Sequence, residues 1–298
     1  MWANLLNPGD TIGIISPSHV AVREEYRDII AGIEARGFRV KTAANLYRDT
    51  YGYLASEQER ADDLNEMVLD DQVKMIFFGG GNGSIDLLPY IDYEAIRAHP
   101  KLFLSYSDGT SILDAVYSKT GLITYYGQTP GEFLRPTDYT CTQFDSQIVR
   151  GDAEDFVSNS LWQCLNPGVC TGLMVGGYLL NFALMLNTPY FSADPEQKYI
   201  LFLEDHEMFS NVAMVDMLLS HIEQNDFIRS VSGLLFGNYS EKPCPWLLER
   251  LIRFGRKHGI PAVYCDDFGH GQNHAILPIG GRARLDAGNC TMRFLREE

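Results

Sequence analysis

Five short strand-like runs, separated by helical patterns, constrain the fold of this chain more than any other feature of the sequence. Thr11-Ile-Gly-Ile-Ile-Ser16, Phe38-Arg-Val-Lys-Thr42, Val73 to Phe78, Leu102 to Leu104 and Leu122-Ile-Thr-Tyr-Tyr126 are the runs. Between them, Glu24 to Arg36 reads as a helix stopped by Gly37. Ser56 followed by Glu59 has the spacing of a capping box, and it opens a helix through Leu69 with Leu64, Met67 and Val68 on its inner face. Ser84 to Tyr93 starts as a helix that Pro89 interrupts. Ser111 to Lys119 carries Ile112, Leu113, Val116 and Tyr117 on one face. This alternation predicts an α/β fold of parallel βα units, and open sheets of that kind place function at the carboxyl ends of their strands.

The pattern weakens from Gln128 to Asn166, where Pro130, Pro136 and Pro167 stand among polar residues. The sequence therefore predicts a first domain over 1–150, a linker over 151–170 and a second domain over 171–298. In that second part, Gly176-Gly177 leads into an apolar helical segment, Leu179 to Leu186. Tyr199 to Leu203 reads as a strand running into Glu204-Asp205, and Val212 to Glu223 as a helix. Val231 to Phe236 is a strand, Leu247 to His258 a helix, and Pro261 to Tyr264 a strand leading into Asp266-Asp-Phe-Gly-His270. Ala283 to Leu295 reads as a hairpin.

Composition narrows the function. The formal net charge is -15 over 298 residues, which argues against a phosphate-binding surface of clustered Lys and Arg, so neither nucleic acid nor an anionic membrane is an expected partner. The six cysteines are scattered, with no CxxC pair and no zinc-ligand spacing. They fit reduced thiols in a cytoplasm. No signal peptide is legible at the start, and no run reaches the roughly 20 apolar residues of a membrane span. The expected protein is cytoplasmic.

Four strand ends carry candidate chemistry. Lys101-Leu-Phe-Leu-Ser-Tyr-Ser-Asp-Gly-Thr110 reads as strand, sharp turn and helix, an arrangement that lifts Ser107 out of the sheet beside a helix N-terminus. There Ser107 is a candidate nucleophile, or, as the plainer alternative, Ser and Asp simply cap the helix. Gly79-Gly-Gly-Asn-Gly-Ser84 could cradle a phosphate, form part of an oxyanion hole, or be a tight turn; it lacks both the G-x-G-x-x-G register and a P-loop lysine. Glu204 and Asp205 could orient an imidazole or cap the next helix, with Glu207 close enough to leave the choice open. His270, between Gly269 and Gly271, is a candidate base or a structural histidine. His206 reads as a surface residue. His274 lies four residues beyond His270, but the intervening glycine speaks against a helical metal pair. The order Ser107, Glu204, His270 is that of nucleophile, acid and base in other hydrolases, without the G-x-S-x-G elbow.

These stretches resemble the LD-carboxypeptidase family of serine peptidases, which includes murein tetrapeptide carboxypeptidases and microcin-immunity proteins. The resemblance covers nearly the whole chain. It is carried by Leu6 to Ser18, by Tyr53 to Asn65, and by Gly80-Gly81 with Leu87 to Tyr93. Tyr106-Ser-Asp108, Gly176-Gly177, Thr188-Pro-Tyr190, Leu203-Glu-Asp205, Phe268-Gly-His270 and Leu277-Pro-Ile-Gly280 follow in the family's order. It implies a Rossmann- or flavodoxin-like first domain, a swivelling-type α/β second domain, and a site in the cleft between them. By the same resemblance Ser107 is the nucleophile, His270 the base and Glu204 the acid that orients it. The N–H groups of Asp108 and Gly81 would form the oxyanion hole, and Gly80 and Asn82 would meet substrate. The resemblance implies neither metal nor cofactor, a homodimer, and a small peptide or aminoacyl-nucleotide-like substrate. Three positions depart from it: Ser105 replaces a usual Gly, Gly79 stands where tetrapeptide carboxypeptidases carry Arg, and Tyr178 replaces a common Asn. Ile123 to Gly127 and Asp267 to His270 look closer to the microcin-immunity branch. A ligand-binding module without turnover is the competing reading from another class; the presence of Ser, Glu and His together argues against it.

Overall fold

A computed structural model describes residues 1–296. Two sheets organise the chain. The first is built from β1 (Thr11–Ile15), β2 (Arg39–Thr42), β3 (Val73–Phe78), β4 (Leu102–Ser105) and β5 (Thr124–Tyr126). These run parallel in the order β5-β4-β3-β1-β2. The crossovers carry α1 (Arg23–Ala35), α2 (Glu57–Leu69), α3 (Tyr93–Ala98) and α4 (Thr110–Thr120). The expected capping box is present at α2: the Glu59 N–H donates to Ser56 Oγ at 3.3 Å and the Ser56 N–H to Glu59 Oε2 at 2.9 Å. Such a cap contributes about 1 kcal/mol. At Pro89 the chain makes a 3₁₀ turn, Ser84–Tyr90, in place of a helix. A new helix, α3, then starts at Asp92, whose side chain accepts the Ala95 N–H at 2.9 Å.

The weakly patterned middle is more structured than its sequence suggests. It holds α5 (Asp138–Phe144), capped by Thr137, and β6 (Gln163–Asn166). β6 pairs antiparallel with a strand about 100 residues later, a long-range partner that no local pattern announces.

The second sheet takes in β7 (Val169–Tyr178), then β8 (Tyr199–Glu204), β9 (Val231–Phe236) and β10 (Ala262–Tyr264). These four are parallel, linked by α6 (Leu179–Met185), α7 (Val212–Gln224) and α8 (Pro245–His258). β11 (Leu277–Ile279) leaves this sheet and pairs antiparallel with β5 at the edge of the first one. An edge position tolerates its Pro278, which has no N–H to donate. The chain returns through the hairpin β12 (Arg282–Asp286) and β13 (Thr291–Leu295), giving the order β13-β12-β7-β8-β9-β10-β6. Among the described residues no helix is long and apolar enough to cross a membrane.

The central strands are buried, whereas β2, β6, β12 and β13, at or next to the sheet edges, are partly exposed. Ile12, Ile14, Met75, Phe77, Phe103 and Leu104 from the first sheet and Val175, Leu201, Phe202, Leu234 and Phe236 from the second belong to one core, all with no solvent exposure. The carboxyl ends of β3, β4, β5 and β8, together with the loop after β10, converge on one cleft.

Candidate active site

β4 ends at Ser105, Tyr106 is still extended, and the chain then turns through Ser107–Gly109 into α4. Ser107 sits in the left-handed region at φ 56°, a conformation that disfavours a residue with a Cβ. Such strain persists only where surrounding bonds hold it. Here the Ser107 N–H donates to Tyr126 Oη at 3.1 Å, and the Ser107 carbonyl accepts Thr110 Oγ1–H at 2.7 Å. Gly80 lies directly behind: a Cβ there would stand 2.7 Å from Ser107 Cβ, so no other residue fits without moving the serine.

The other two candidates arrive from the second half. Glu204 ends β8 and is fully buried. His270 lies on the loop after β10. Its Nε2 is 2.8 Å from Ser107 Oγ, and its Nδ1 is 2.8 Å from Glu204 Oε2. A carboxylate only accepts, so Nδ1 carries the proton and Nε2 of the neutral ring accepts the serine hydroxyl. The structure thus brings together three residues that are 66 to 163 positions apart in the chain. Gly269 makes the approach possible: its φ is +101°, and a Cβ would lie 2.8 Å from Glu204 Oε2. Tyr106, Tyr178 and Phe209 surround the imidazole, with ring centroids 5.0, 5.3 and 4.8 Å away.

The acid's second oxygen is also engaged. Tyr126 Oη donates to Glu204 Oε1 at 2.5 Å. Because the same hydroxyl accepts the Ser107 N–H, a closed ring of hydrogen bonds runs Ser107, His270, Glu204, Tyr126 and back to Ser107. Burial, followed by the charge of Glu204, pushes the Tyr126 phenol well above its ordinary range, which keeps the donor proton in place. Tyr126 is the residue that pattern reading overlooks. An aromatic in a buried run reads as core, and only its position at the end of β5 marks it out.

The remaining sequence candidates fall around this ring. Asp108 turns its carboxylate away from the cleft, accepting the Ser84 N–H at 2.8 Å and the Asn181 amide at 2.8 Å. Asn181 belongs to α6, so this bond ties the Ser107 turn to the second half. Gly80, Gly81 and Asn82 line the cleft with Ser107 and His270. The Asn82 N–H is held by the Ser18 carbonyl at 2.9 Å. Arg60, buried under the glycine loop, donates to the Gly83 carbonyl at 2.9 Å and also to the Pro17 carbonyl, fixing both loops. Asp267 belongs to a stretch that the sequence marked only by resemblance, with no role assigned to it. Fully buried, it accepts from Ser158 Oγ, the Asn159 N–H and Trp162 Nε1 at 2.8, 2.7 and 2.6 Å, which pins the His270 loop to the segment before β6.

Of the acids left open by sequence, Asp205 is buried beside Glu204 and accepts the His206 N–H at 2.7 Å. Burial pushes its carboxyl up to about 7. His206 is buried, against the surface position expected of it, because the turn after β8 folds back under Phe209. His274 lies 3.7 Å from Glu132 and edge-on to Tyr106. Among the described residues no group of three or more His, Cys, Asp and Glu is placed to hold a metal. The cleft encloses about 420 Å³, enough for a small peptide or nucleotide-sized ligand.

Comparison with known proteins identifies the family. The LD-carboxypeptidase N-terminal domain matches residues 12–127 and the LD-carboxypeptidase C-terminal domain residues 171–285. A Bacillus subtilis protein described as a probable murein peptide carboxypeptidase is 29% identical, over 96% of this chain and 92% of its own. The Escherichia coli microcin C7 self-immunity protein MccF is 27% identical over 94% of this chain and 92% of its own. The structure of MccF with aspartyl sulfamoyl adenosine matches with a TM-score of 0.86 at 25% identity, covering 99% of this chain and 98% of that one. An MccF-like protein from Bacillus anthracis gives a TM-score of 0.91 at 27% identity, with both chains fully covered. On both domain matches and full-length similarity, the chain belongs to the LD-carboxypeptidase family and is a serine-type carboxypeptidase.

Proposed function

We propose that this protein hydrolyses a small peptide-like amide through Ser107, His270 and Glu204. The observation that carries this reading is the pair of 2.8 Å contacts that run from the Ser107 hydroxyl through the imidazole to a fully buried carboxylate. His270 Nε2 takes the Ser107 proton as Oγ attacks the amide carbonyl. Glu204 stabilises the imidazolium that forms and holds the ring in the correct tautomer. The Asp108 N–H in the turn that precedes α4 and the Gly81 N–H in the glycine loop receive the developing oxyanion. Collapse breaks the C–N bond, with the proton passing from His270 to the leaving amine. Water, activated by the same imidazole, then releases the acyl group and restores the serine.

The substrate we propose is that of the microcin-immunity branch, an aminoacyl or peptidyl group in amide-type linkage to a modified nucleotide. The fit to the MccF-like structure supports it. The reading with a specific observation behind it as second choice is release of a terminal D-alanine from a murein tetrapeptide, since the Bacillus subtilis relative is described as a murein peptide carboxypeptidase. Mass spectrometry on parallel incubations with a murein tetrapeptide and an aminoacyl sulfamoyl adenosine separates them. Cleavage of the nucleotide analogue is the expected result. Release of D-alanine alone moves the assignment to cell-wall peptides, and binding without cleavage of either moves it to a ligand-binding module.

A further inference from the structure

We infer that His19 is a positioning residue for the reaction: it fixes the Gly80–Gly81 peptide so that the Gly81 N–H points at the reacting carbonyl, and Tyr26 fixes His19 in turn. This rests on the reading of Ser107 as nucleophile and of the Gly81 N–H as an oxyanion donor.

The glycine loop needs such a holder. Gly80 and Gly81 are neighbours, and Gly81 sits at φ +141°, in a region that glycine enters freely. Neither position can be stiffened by a larger residue. A Cβ at Gly80 would stand 2.7 Å from Ser107 Cβ, and one at Gly81 would run into the Ser18 carbonyl. The peptide between them is trans, so its C=O and N–H point in opposite directions. A half-turn of that plane would replace the donor with a carbonyl oxygen, and a developing oxyanion would meet a partial negative charge in place of a proton.

His19 supplies the restraint. It lines the cleft with Ser107, and its Nδ1 is 3.1 Å from the Gly80 carbonyl oxygen. A carbonyl only accepts, so Nδ1 carries the proton and Nε2 accepts the Tyr26 hydroxyl at 2.7 Å. Tyr26 is buried on α1, which anchors the relay in the core. Burial lowers the affinity of His19 for a second proton and raises the Tyr26 phenol, so both keep the protonation these bonds require. The loop that carries His19 is itself held: the His19 carbonyl accepts Ser16 Oγ–H, and the Ser18 carbonyl accepts the Asn82 N–H at 2.9 Å. The Gly80–Gly81 peptide is thus tied to this loop at both of its sides. Gly79, one of the positions that depart from the family pattern, leaves the space that the imidazole fills, since a Cβ there would lie 2.9 Å from His19 Cε1. Among the described residues the Gly81 N–H has no hydrogen-bond partner, so it is available to substrate.

The test labels Ser107 with an alkyl fluorophosphonate. Oγ attacks phosphorus, fluoride leaves, the serine proton passes to His270, and the tetrahedral adduct puts a P–O oxygen where the oxyanion would lie. The probe works whatever the natural substrate is. The rate of adduct formation is read by intact-protein mass spectrometry, beside kcat and KM for an aminoacyl sulfamoyl adenosine. His19→Ala should slow labelling and kcat about 10- to 100-fold, a part of the about 10²- to 10³-fold that a whole oxyanion donor is worth. KM should stay within about threefold of the parent, whereas a residue that only shaped the cleft would raise KM. His19→Asn, whose amide nitrogen stands where Nδ1 stood, should recover labelling to within about fivefold of the parent, and His19→Leu should not. Tyr26→Phe, which frees the imidazole to turn, should cost about 3- to 10-fold. Labelling of His19→Ala at the parental rate overturns the inference alone. So does a loss that His19→Asn leaves unrecovered, or one that appears in KM and not in kcat. A parent protein that takes no label on Ser107 overturns the nucleophile reading, and the inference with it.

Discussion

The two halves of the molecule bring different physics to the same cleft. The first half contributes backbone. Ser107 is forced to a left-handed φ of 56°, with Gly80 leaving no room behind it and α4 beginning immediately after it. The second half contributes buried carboxyl groups, with Glu204 and Asp205 at the end of one strand and both at zero exposure. Strain on one side and desolvated carboxylates on the other have different costs. On the proposed roles, a change at the serine should remove chemistry and leave packing intact. A change at Glu204 leaves buried partners without their hydrogen bonds, so it should cost stability as well as activity.

Substitutions break the comparison in order of expected effect. Ser107→Ala should lower kcat/KM by about four orders of magnitude or more, with Tm within about 2 °C of the parent. Next, Glu204→Gln should cost about two to four orders of magnitude in kcat, since an amide can no longer fix the imidazole tautomer. It should also lower Tm by several degrees in differential scanning calorimetry, because it puts an amide where a buried carboxylate accepted two donors. An unchanged Tm there would remove the distinction between the halves. Tyr126→Phe joins both sides. It strips the Ser107 N–H of its acceptor and Glu204 Oε1 of its donor, so kcat should fall about 10- to 100-fold while KM moves less than about threefold. A loss confined to Tm would make Tyr126 a packing residue only.

The smallest effect is on the pH dependence of stability. Burial raises the Asp205 carboxyl to about 7 in the folded protein, above its ordinary value. The native state therefore holds a proton that the unfolded chain has already released. The contribution is full at pH below about 4 and is lost as pH rises toward about 7. Asp205→Asn should flatten the fall of Tm across that window. A Tm profile identical to the parent would show that Asp205 does not titrate there.

Much of this was legible from residue order. Short apolar runs bounded by Gly, Pro and Ser locate β1, β3, β4 and β5, because strands buried on both faces need continuous apolar side chains, while β2 is located by its alternation. The ends of β4 and β8 and the loop after β10 flag Ser107, Glu204 and His270, since polar residues after such a run have nowhere to go but a strand end. What stayed hidden depends on distant pairing. β6 lies in a segment that reads as a connector, and β11 changes sheet with three residues, one of them proline. Tyr126 and Asp267 are equally quiet, because an aromatic in a strand or an acid in a loop shows its partners only after folding.

The measurement that bears most directly on the central claim is intact-protein mass spectrometry of an acid-quenched reaction with an aminoacyl sulfamoyl adenosine. The account predicts a single adduct with the mass of the acyl group, mapped by peptide fragmentation to Ser107 and missing from Ser107→Ala. Turnover with no adduct on Ser107, retained when that residue is alanine, would contradict it.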